Sequence, residues 1–428
     1  MKIFLDSVGC RLNQAEIEEM AAKFRAAGHQ IVAQADGADL AVINTCTVTS
    51  RAASDSRQKT RQANRQGVGS IILTGCWSTI EPDKAAAMEN VSRLVPNESK
   101  DQLVSDILAE SVPVFDLEPL ERQPIPGSRK RTRAFIKVQD GCDNHCAYCI
   151  TTVARGKGHS RTIPEVLQSV DGAILGGAQE VVLSGVHLGS WGKDLRQGER
   201  LVDLVQAILS QTDIPRVRLS SLEPWDLSPS FFNLWQDERM CRHLHLPLQS
   251  GSAATLKRMV RIVTPDSFAE LVSSARQVIS GVSITTDLIA GFPGETEQEF
   301  QETVEFVKEM QFSGGHVFTY SARQGTNAAK MPDQVPHNIR KYRNAVLRDI
   351  LAESQQGYAA QFIGHNLDVL WETAEKQPDG SWKLGGLGDN YLHVTAYAKE
   401  NRWNQVDQVL INKMDESGLQ GDILNLNL

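Results

Sequence analysis

Cys142, Cys146 and Cys149 stand in the stretch Gly141-Cys142-Asp143-Asn144-His145-Cys146-Ala147-Tyr148-Cys149, with three and then two residues between successive thiols. A loop this short can wrap three thiolates around one soft metal centre, and thiolate donors select zinc or an iron–sulfur cluster. Structural zinc takes four ligands, and no further Cys or His follows at zinc spacing, since His145 lies between the thiols and His159 is ten residues beyond Cys149. A cubane held by three cysteines leaves one iron open to a small molecule, which is an enzyme's arrangement rather than a staple's.

Three more cysteines share a different pattern. Cys10, Cys46 and Cys76 each come just after an apolar run, in Gly9-Cys10, Thr45-Cys46 and Gly75-Cys76. The runs at 2–5, 40–43 and 70–73 read as strands, and the stretches at 13–27 and 50–65 as helices. Alternating strands and helices predict a parallel sheet covered by helices. Ligand sites in such sheets lie beyond the carboxyl ends of the strands, so three thiols far apart in sequence can meet on one edge. Three unrelated buried thiols would give the same pattern. The seventh cysteine, Cys241, precedes His243 and His245 in a strand-like run where core packing suffices without a metal. An odd, sparse set of seven excludes a complete disulfide framework and fits a reducing compartment.

A length of 428 residues suggests about three domains. A net charge of −8 excludes a globally basic, histone-like molecule, and 41% hydrophobic with 22% charged residues is an ordinary globular composition. No apolar run is long enough for a bilayer crossing, and Asp6 comes too early for a secretory leader, so a soluble, cytoplasmic, monomeric protein is expected. Residues 1–118 form the α/β domain of the early cysteines. A linker at 119–133 carries Pro119, Pro124, Pro126 and the basic run ending at Arg133. Residues 134–360 hold about six further strand–helix units, which predicts an open (β/α)6 partial barrel with its site at the strands' carboxyl ends. Residues 361–428 show short strands at 367–372, 392–396 and 422–426 between turns such as Pro378-Asp379-Gly380 and Gly385-Gly386, a small β-barrel.

Cys-x-x-x-Cys-x-aromatic-Cys just after the first strand of such a barrel resembles the signature loop of the radical S-adenosylmethionine (SAM) superfamily. The resemblance implies that Cys142, Cys146 and Cys149 hold a [4Fe-4S] cluster whose open iron chelates SAM. It further implies cofactor contacts from Tyr148 to the adenine, from Gly185 and Val186 to the methionine end and from Ser221 and Glu223 at the ribose level, with Gln249, Asp287 and Gly291 on the following strand ends. An α/β domain with a cysteine triad, then this barrel, then a small β-barrel, resembles the methylthiotransferases over nearly the whole chain. In that family Cys10, Cys46 and Cys76 would ligate a second, auxiliary [4Fe-4S] cluster, and the C-terminal barrel, with Gly388-Asp389-Asn390-Tyr391, resembles a TRAM domain.

Within the family, Asn44-Thr45-Cys46-Thr47-Val48-Thr49, Lys137-Val138-Gln139-Asp140-Gly141-Cys142, His245-Leu246-Pro247-Leu248-Gln249-Ser250-Gly251 and His316-Val317-Phe318-Thr319-Tyr320-Ser321 are most similar to the branch that acts on N6-threonylcarbamoyladenosine at tRNA position 37. That branch replaces the adenine carbon-2 hydrogen with a methylthio group. Alternative substrates within the family are isopentenyladenosine in tRNA and a ribosomal protein. A reading of another class is a zinc-stabilised RNA-binding protein without catalysis. One departure from the family is Thr151-Thr152, where relatives carry an apolar residue and proline.

The implied partners are an electron donor and the anticodon stem-loop of tRNA, whose phosphates require local positive charge on an acidic protein. Arg57, Lys59, Arg61 and Arg65, together with Arg51, lie on one predicted helix, and Lys130, Arg131 and Arg133 lie in the linker. A weaker basic group is Arg340, Lys341, Arg343 and Arg348. Trp382, Tyr391 and Trp403 are candidates for stacking on bases, although barrel core accounts for at least two of them.

Overall fold

The computed structural model describes residues 1–109, 132–196, 198–415 and 418–424. All but the last two residues of the expected linker, including Lys130 and Arg131, lie outside the described residues. The chain forms two compact units, one of Met1–Asn144, Cys149–His187 and Trp191–Glu199, the other of His145–Tyr148, Leu188–Ser190 and Arg200–Leu428.

The first unit begins with β1 (Lys2–Ser7), α1 (Arg11–Ala26), β2 (Gln30–Val32), β3 (Leu40–Thr45) and α2 (Ser50–Arg65). It continues with β4 (Ile71–Gly75), α3 (Cys76–Ile80), α4 (Pro82–Ala86), β5 (Val91–Val95) and α5 (Leu103–Leu108). The five strands form a parallel sheet in the order β2-β1-β3-β4-β5. Strands β3 and β4 are buried along their whole length, as expected for a sheet covered on both faces. Alternate residues divide between two cores. Val42 and Ile72 join Ile17, Met20 and Phe24 of α1, whereas Ile43 and Leu73 join Ala53 and Ala63 of α2 and Trp77. Burying Phe24 completely stabilises this packing by about 1.5–3 kcal/mol.

Beyond the linker, β6 (Arg133–Lys137), β7 (Gln139–Asp140), α6 (Thr151–Arg155), β8 (His159–Ser160), α7 (Ile163–Leu175) and β9 (Glu180–Ser184) complete the first unit's regular elements. Strands β6 and β9 pair in parallel around α7, whose start is fixed by a capping box of Thr162 and Glu165. Charge ties two elements of the first sheet's helical layer to this region: Arg161 pairs with Glu19 of α1 at 2.7 Å, and Lys137 pairs with Asp101, just before α5, at 2.5 Å.

Burial opposes ionisation of Glu19, but Arg161, Lys137 and Lys23 outweigh it and hold the carboxyl at about 2, below its usual 4.5. A depressed carboxylate contributes stability above its unfolded-state value, and that stability is lost as pH falls from about 4.5 toward about 2. Melting curves across that window are expected to fall more steeply for the wild type than for Glu19→Gln. Parallel curves would remove Glu19 from the acid response.

The second unit contains α8 (Leu201–Gln211), β10 (Arg216–Leu219), β11 (His243–His245), α9 (Ala253–Arg258), α10 (Pro265–Val278) and β12 (Ser283–Ala290). Then come α11 (Glu297–Met310), β13 (Gly314–Thr319) and the long α12 (His337–Ala360). Strands β11, β12 and β13 form a parallel sheet. The six strands β6, β9, β10, β11, β12 and β13 follow one another in the expected order, with α-helices between successive strands except β10 and β11, which are joined through the 3-10 turns Pro224–Asp226 and Pro229–Gln236.

The chain ends in a closed barrel of β14 (Asn366–Lys376), β15 (Trp382–Gly388), β16 (His393–Ala398), β17 (Val406–Asp415) and β18 (Gly418–Ile423), in the order β14-β15-β16-β18-β17. Strand β15 departs from the sequence reading, which treats Gly385-Gly386 as a turn. The glycines sit inside a strand because the small barrel brings backbones too close for side chains: a Cβ at Gly386 would lie 2.6 Å from the Leu370 carbonyl oxygen. The expected last strand at 422–426 is instead β18, and residues 425 and 426 fall outside the described residues.

Candidate metal centres

Strands β1, β3 and β4 are neighbours, and each delivers a cysteine at its carboxyl end. Cys10 caps α1, Cys46 follows Thr45 directly, and Cys76 opens α3. Two glycines with left-handed backbone make the approach possible. Gly9 has φ +101°, and a Cβ there would lie 2.5 Å from the Cys46 sulfur; Gly75 has φ +97°, and a Cβ there would lie 2.2 Å from the Thr45 carbonyl oxygen. Ser56 clamps the Cys46 backbone, accepting from its N–H at 2.9 Å and donating to its carbonyl at 3.0 Å. Asn13 donates to the carbonyls of Val8 and Thr45 at 2.7 and 3.1 Å, fastening the ends of β1 and β3 together.

Cys46 and Cys76 are buried and Cys10 is exposed, so the trio is open on one side. Burial, with repulsion from the neighbouring Cys10 and Cys76, pushes the Cys46 thiol up to about 12. The site therefore needs a strong positive charge to hold thiolates, and bound iron supplies one. Among the described residues no three His, Cys, Asp or Glu side chains converge tightly enough to ligate a single metal ion. A cubane spreads its ligands over separate corners, and soft thiols on three adjacent strand ends fit that donor set.

The second loop is framed by the antiparallel pair of β7 and β8. Gly141, at φ +68°, passes so close to Lys157 that a Cβ would lie 1.9 Å from its carbonyl oxygen. The Cys142 N–H donates to the Gly156 carbonyl at 3.1 Å, and Asp143 accepts from the Gly158 N–H at 3.3 Å. Backbone N–H groups already face the sulfurs: Asn144 donates to Cys142 and Thr151 to Cys149, both at 3.4 Å. His187 Nδ1 lies 3.8 Å from the Cys142 sulfur and 3.2 Å from the Asn144 side-chain amide. Burial pushes the Cys149 thiol up, against hydrogen bonds from Thr151 and Thr152 that favour its thiolate.

Within the second unit, the Ala147 N–H donates to the Met259 carbonyl at 2.9 Å, and Tyr148 packs edge-on against Phe292 at 6.4 Å between ring centres. Arg261, which sequence reasoning missed, is buried beside them. It pairs with Glu223 at 2.8 Å, donates to the Pro247 carbonyl at 2.5 Å and lies 4.4 Å from the Trp225 ring centre. Burial works against its charge, yet Tyr148, Glu223 and Cys146 outweigh it and push its pKa up.

The uncharacterized protein family UPF0004 matches residues 2–96, and the radical SAM superfamily matches residues 136–307. The chain is 35% identical over 421 residues to the threonylcarbamoyladenosine tRNA methylthiotransferase MtaB of Bacillus subtilis, covering 95% of this chain and 93% of that protein. It is 33% identical over 441 residues to the tRNA-2-methylthio-N(6)-dimethylallyladenosine synthase of Staphylococcus haemolyticus, covering 99% and 85%. The chain belongs to the radical SAM methylthiotransferase family. The fold agrees: the radical SAM methyltransferase TsrM of Kitasatospora setae superposes with a TM-score of 0.55 at 13% identity, over 77% of each chain. Membership of the radical SAM superfamily implies a [4Fe-4S] cluster and SAM.

Gly185 and Val186 follow β9, half-buried, and Ser221 follows β10. Glu223 is engaged by Arg261. Gln249 has a left-handed backbone, φ +74°, and its backbone bonds to Asp287 and Ile289 of β12. Asp287 lies 3.3 Å from His245 Nε2, and Thr285 Oγ1 bridges His245 and His243 at 2.9 Å each. His243 also stacks on Tyr391 at 4.2 Å, so that ring has a packing partner within the protein. Gly291 is required by the Arg340 side chain, 2.2 Å from where its Cβ would stand. On α2, Arg61 and Arg65 are exposed, whereas Lys59 is paired with Asp6 and Arg57 lies 5.9 Å from the Trp77 ring centre. Arg133 lies 5.8 Å from the Phe135 ring centre. Among the described residues no helix is long and apolar enough to cross a membrane.

Proposed function

We propose that this chain modifies tRNA, replacing the carbon-2 hydrogen of N6-threonylcarbamoyladenosine at position 37 with a methylthio group. The observation that carries the reading is the pair of cysteine trios, one on three adjacent strand ends and one in a single short loop, in a chain similar along its length to enzymes named for this chemistry. Cys142, Cys146 and Cys149 hold the cluster that binds SAM, and Cys10, Cys46 and Cys76 hold a second [4Fe-4S] cluster. When bound, these groups supply a radical able to break an unactivated C–H bond and the sulfur that replaces it. The protein supplies orientation. Tyr148, Gly185, Val186, Ser221, Gln249 and Asp287 form the cofactor side. Glu223 belongs to the same side and also fixes Arg261.

Residues 1–118 form the auxiliary-cluster domain, 134–360 the radical SAM partial barrel and 361–428 a TRAM-like barrel. Arg61, Arg65 and the linker bases carry the contacts to tRNA phosphates, and Arg57 and Lys59 support that face through Trp77 and Asp6. The protein acts as a cytoplasmic monomer fed by a reducing electron donor.

Mass spectrometry of tRNA nucleosides from a strain lacking the gene tests the substrate. Loss of the methylthio-threonylcarbamoyl nucleoside alone supports the proposal. Its persistence where no other producer exists overturns it. Loss of the methylthio-isopentenyl nucleoside supports the second reading, favoured by the similarity to the dimethylallyladenosine synthase.

The Thr151-Thr152 departure has a consequence at the second loop. The Thr151 N–H donates to the Cys149 sulfur at 3.4 Å and the Thr152 backbone N–H also favours the Cys149 thiolate, whereas proline at 152 has no N–H to give. Hydrogen bonds to cluster sulfurs raise reduction potential. Thr152→Pro is therefore expected to shift the potential of the SAM-binding cluster to more negative values, as read by redox-titrated EPR, and to slow SAM cleavage at a fixed reductant. An unchanged potential removes Thr152 from cluster tuning.

A further inference from the structure

Arg155 ends α6, the helix that leaves the second cysteine loop, and its side chain is only 2% exposed. Nη1 donates to Glu16 Oε1 at 2.9 Å and to both oxygens of Asp140 at 2.8 and 2.9 Å, and Nη2 donates to Asn13 Oδ1 at 2.6 Å. On one side this reaches the early trio. Asn13 fastens the strand ends bearing Cys10 and Cys46, and its Oδ1 lies 3.7 Å from the Cys10 sulfur. On the other side it reaches the second loop, because Asp140 also accepts from the N–H of Gly141, the residue before Cys142, at 2.7 Å. A parallel tie runs one residue earlier: the Asn97 side-chain amide donates to the Ala154 carbonyl at 2.7 Å and lies 3.7 Å from the Cys76 sulfur. Lys100 completes the network, donating to Glu16 at 2.8 Å and Asn44 at 3.2 Å.

A buried network of this kind is poor at raising stability, since removing four charges from water costs as much as their attraction returns. Its strength is geometric. A guanidinium is a rigid planar fork, and engaging Asp140, Glu16 and Asn13 together fixes the relative position of the elements that carry them.

We propose that Arg155 is a positioning residue that locks the early cysteine trio and the Cys142 end of the second loop in one register, so that two bound clusters keep a fixed spacing. The inference rests on the reading that both trios hold clusters. Its test has a readout independent of that reading.

Arg155→Lys keeps the charge and loses the fork. After anaerobic reconstitution this variant is expected to match the wild type in iron content and to melt close to it, while the dipolar coupling between the two reduced clusters, read by pulsed EPR, shifts or broadens. In the iron-free protein, alkylation of Cys10 and Cys76 is expected to be faster than in the wild type. A lower melting temperature with unchanged coupling and unchanged alkylation assigns Arg155 a purely structural role and overturns the proposal. Should Arg155→Lys fail to fold, Asp140→Asn loosens the same grip without changing shape and is expected to shift both readouts in the same direction, less strongly; wild-type values there overturn the proposal. A wild-type protein with one cluster and no coupling overturns the two-cluster reading alone, and the alkylation rates still decide the role of Arg155.

Discussion

Cys46→Ala is expected to retain reductive SAM cleavage while losing methylthio insertion, and Cys146→Ala to lose both. The asymmetry follows from where the two thiols stand. Cys46 is buried at the end of β3 between Cys10 and Cys76, and its backbone is held by Ser56, so removing the sulfur leaves the strand and its hydrogen bonds in place. Cys146 belongs to the loop whose three thiols are all the soft donors available to a SAM-binding cluster there. Anaerobically prepared wild-type protein is expected to carry roughly eight iron and eight sulfide per chain, two cubanes of four, and each alanine variant about half. Insertion surviving in Cys46→Ala ends the auxiliary-cluster proposal. A folded, colourless, zinc-loaded wild type ends the catalytic reading altogether and supports the RNA-binding alternative.

The features legible in the sequence were those written in local pattern. Continuous apolar runs at β3 and β4 announced buried parallel strands, and the topology rule placed Cys46 and Cys76 at their carboxyl ends. Strand β5, with the burial of its middle residues reduced on a sheet edge, carries no such run and escaped notice. Strand β15 was hidden by its own glycines, whose purpose is a close approach visible only once β14 lies beside it. The two arginines that organise the cysteine loops were illegible for a different reason. Arg155 meets Glu16 across 139 positions of sequence, and Arg261 lies beyond α9 among other basic residues, so nothing local marks either as buried. By contrast Lys59, legible as part of a basic helix face, spends its charge on Asp6.

Arg261→Ala carries the second large expected effect. Its side chain is 1% exposed and its guanidinium is held by Glu223, the Pro247 carbonyl and the Trp225 ring, so truncation leaves Glu223 without this cation in a partly buried site. Breaking a buried pair from one side costs about 3–5 kcal/mol, because the remaining charge loses both water and partner. Urea unfolding of the iron-free protein is expected to show a loss of that order for Arg261→Ala. Truncating Glu223 as well removes the stranded charge, so the Glu223→Ala, Arg261→Ala double variant is expected to recover part of the loss, a coupling of about 0.5–3 kcal/mol. Strict additivity would mean that the pair does not anchor this region. The arginine's charge also favours the Cys146 thiolate. The single variant is therefore expected to take up iron at the second loop more weakly as pH falls, since metal must displace a proton that Arg261 no longer helps to remove. Glu223→Ala alone leaves that charge beside Cys146, so a defect confined to stability in Glu223→Ala, and extending to iron uptake in Arg261→Ala, separates the packing role of the pair from the electrostatic role of the arginine.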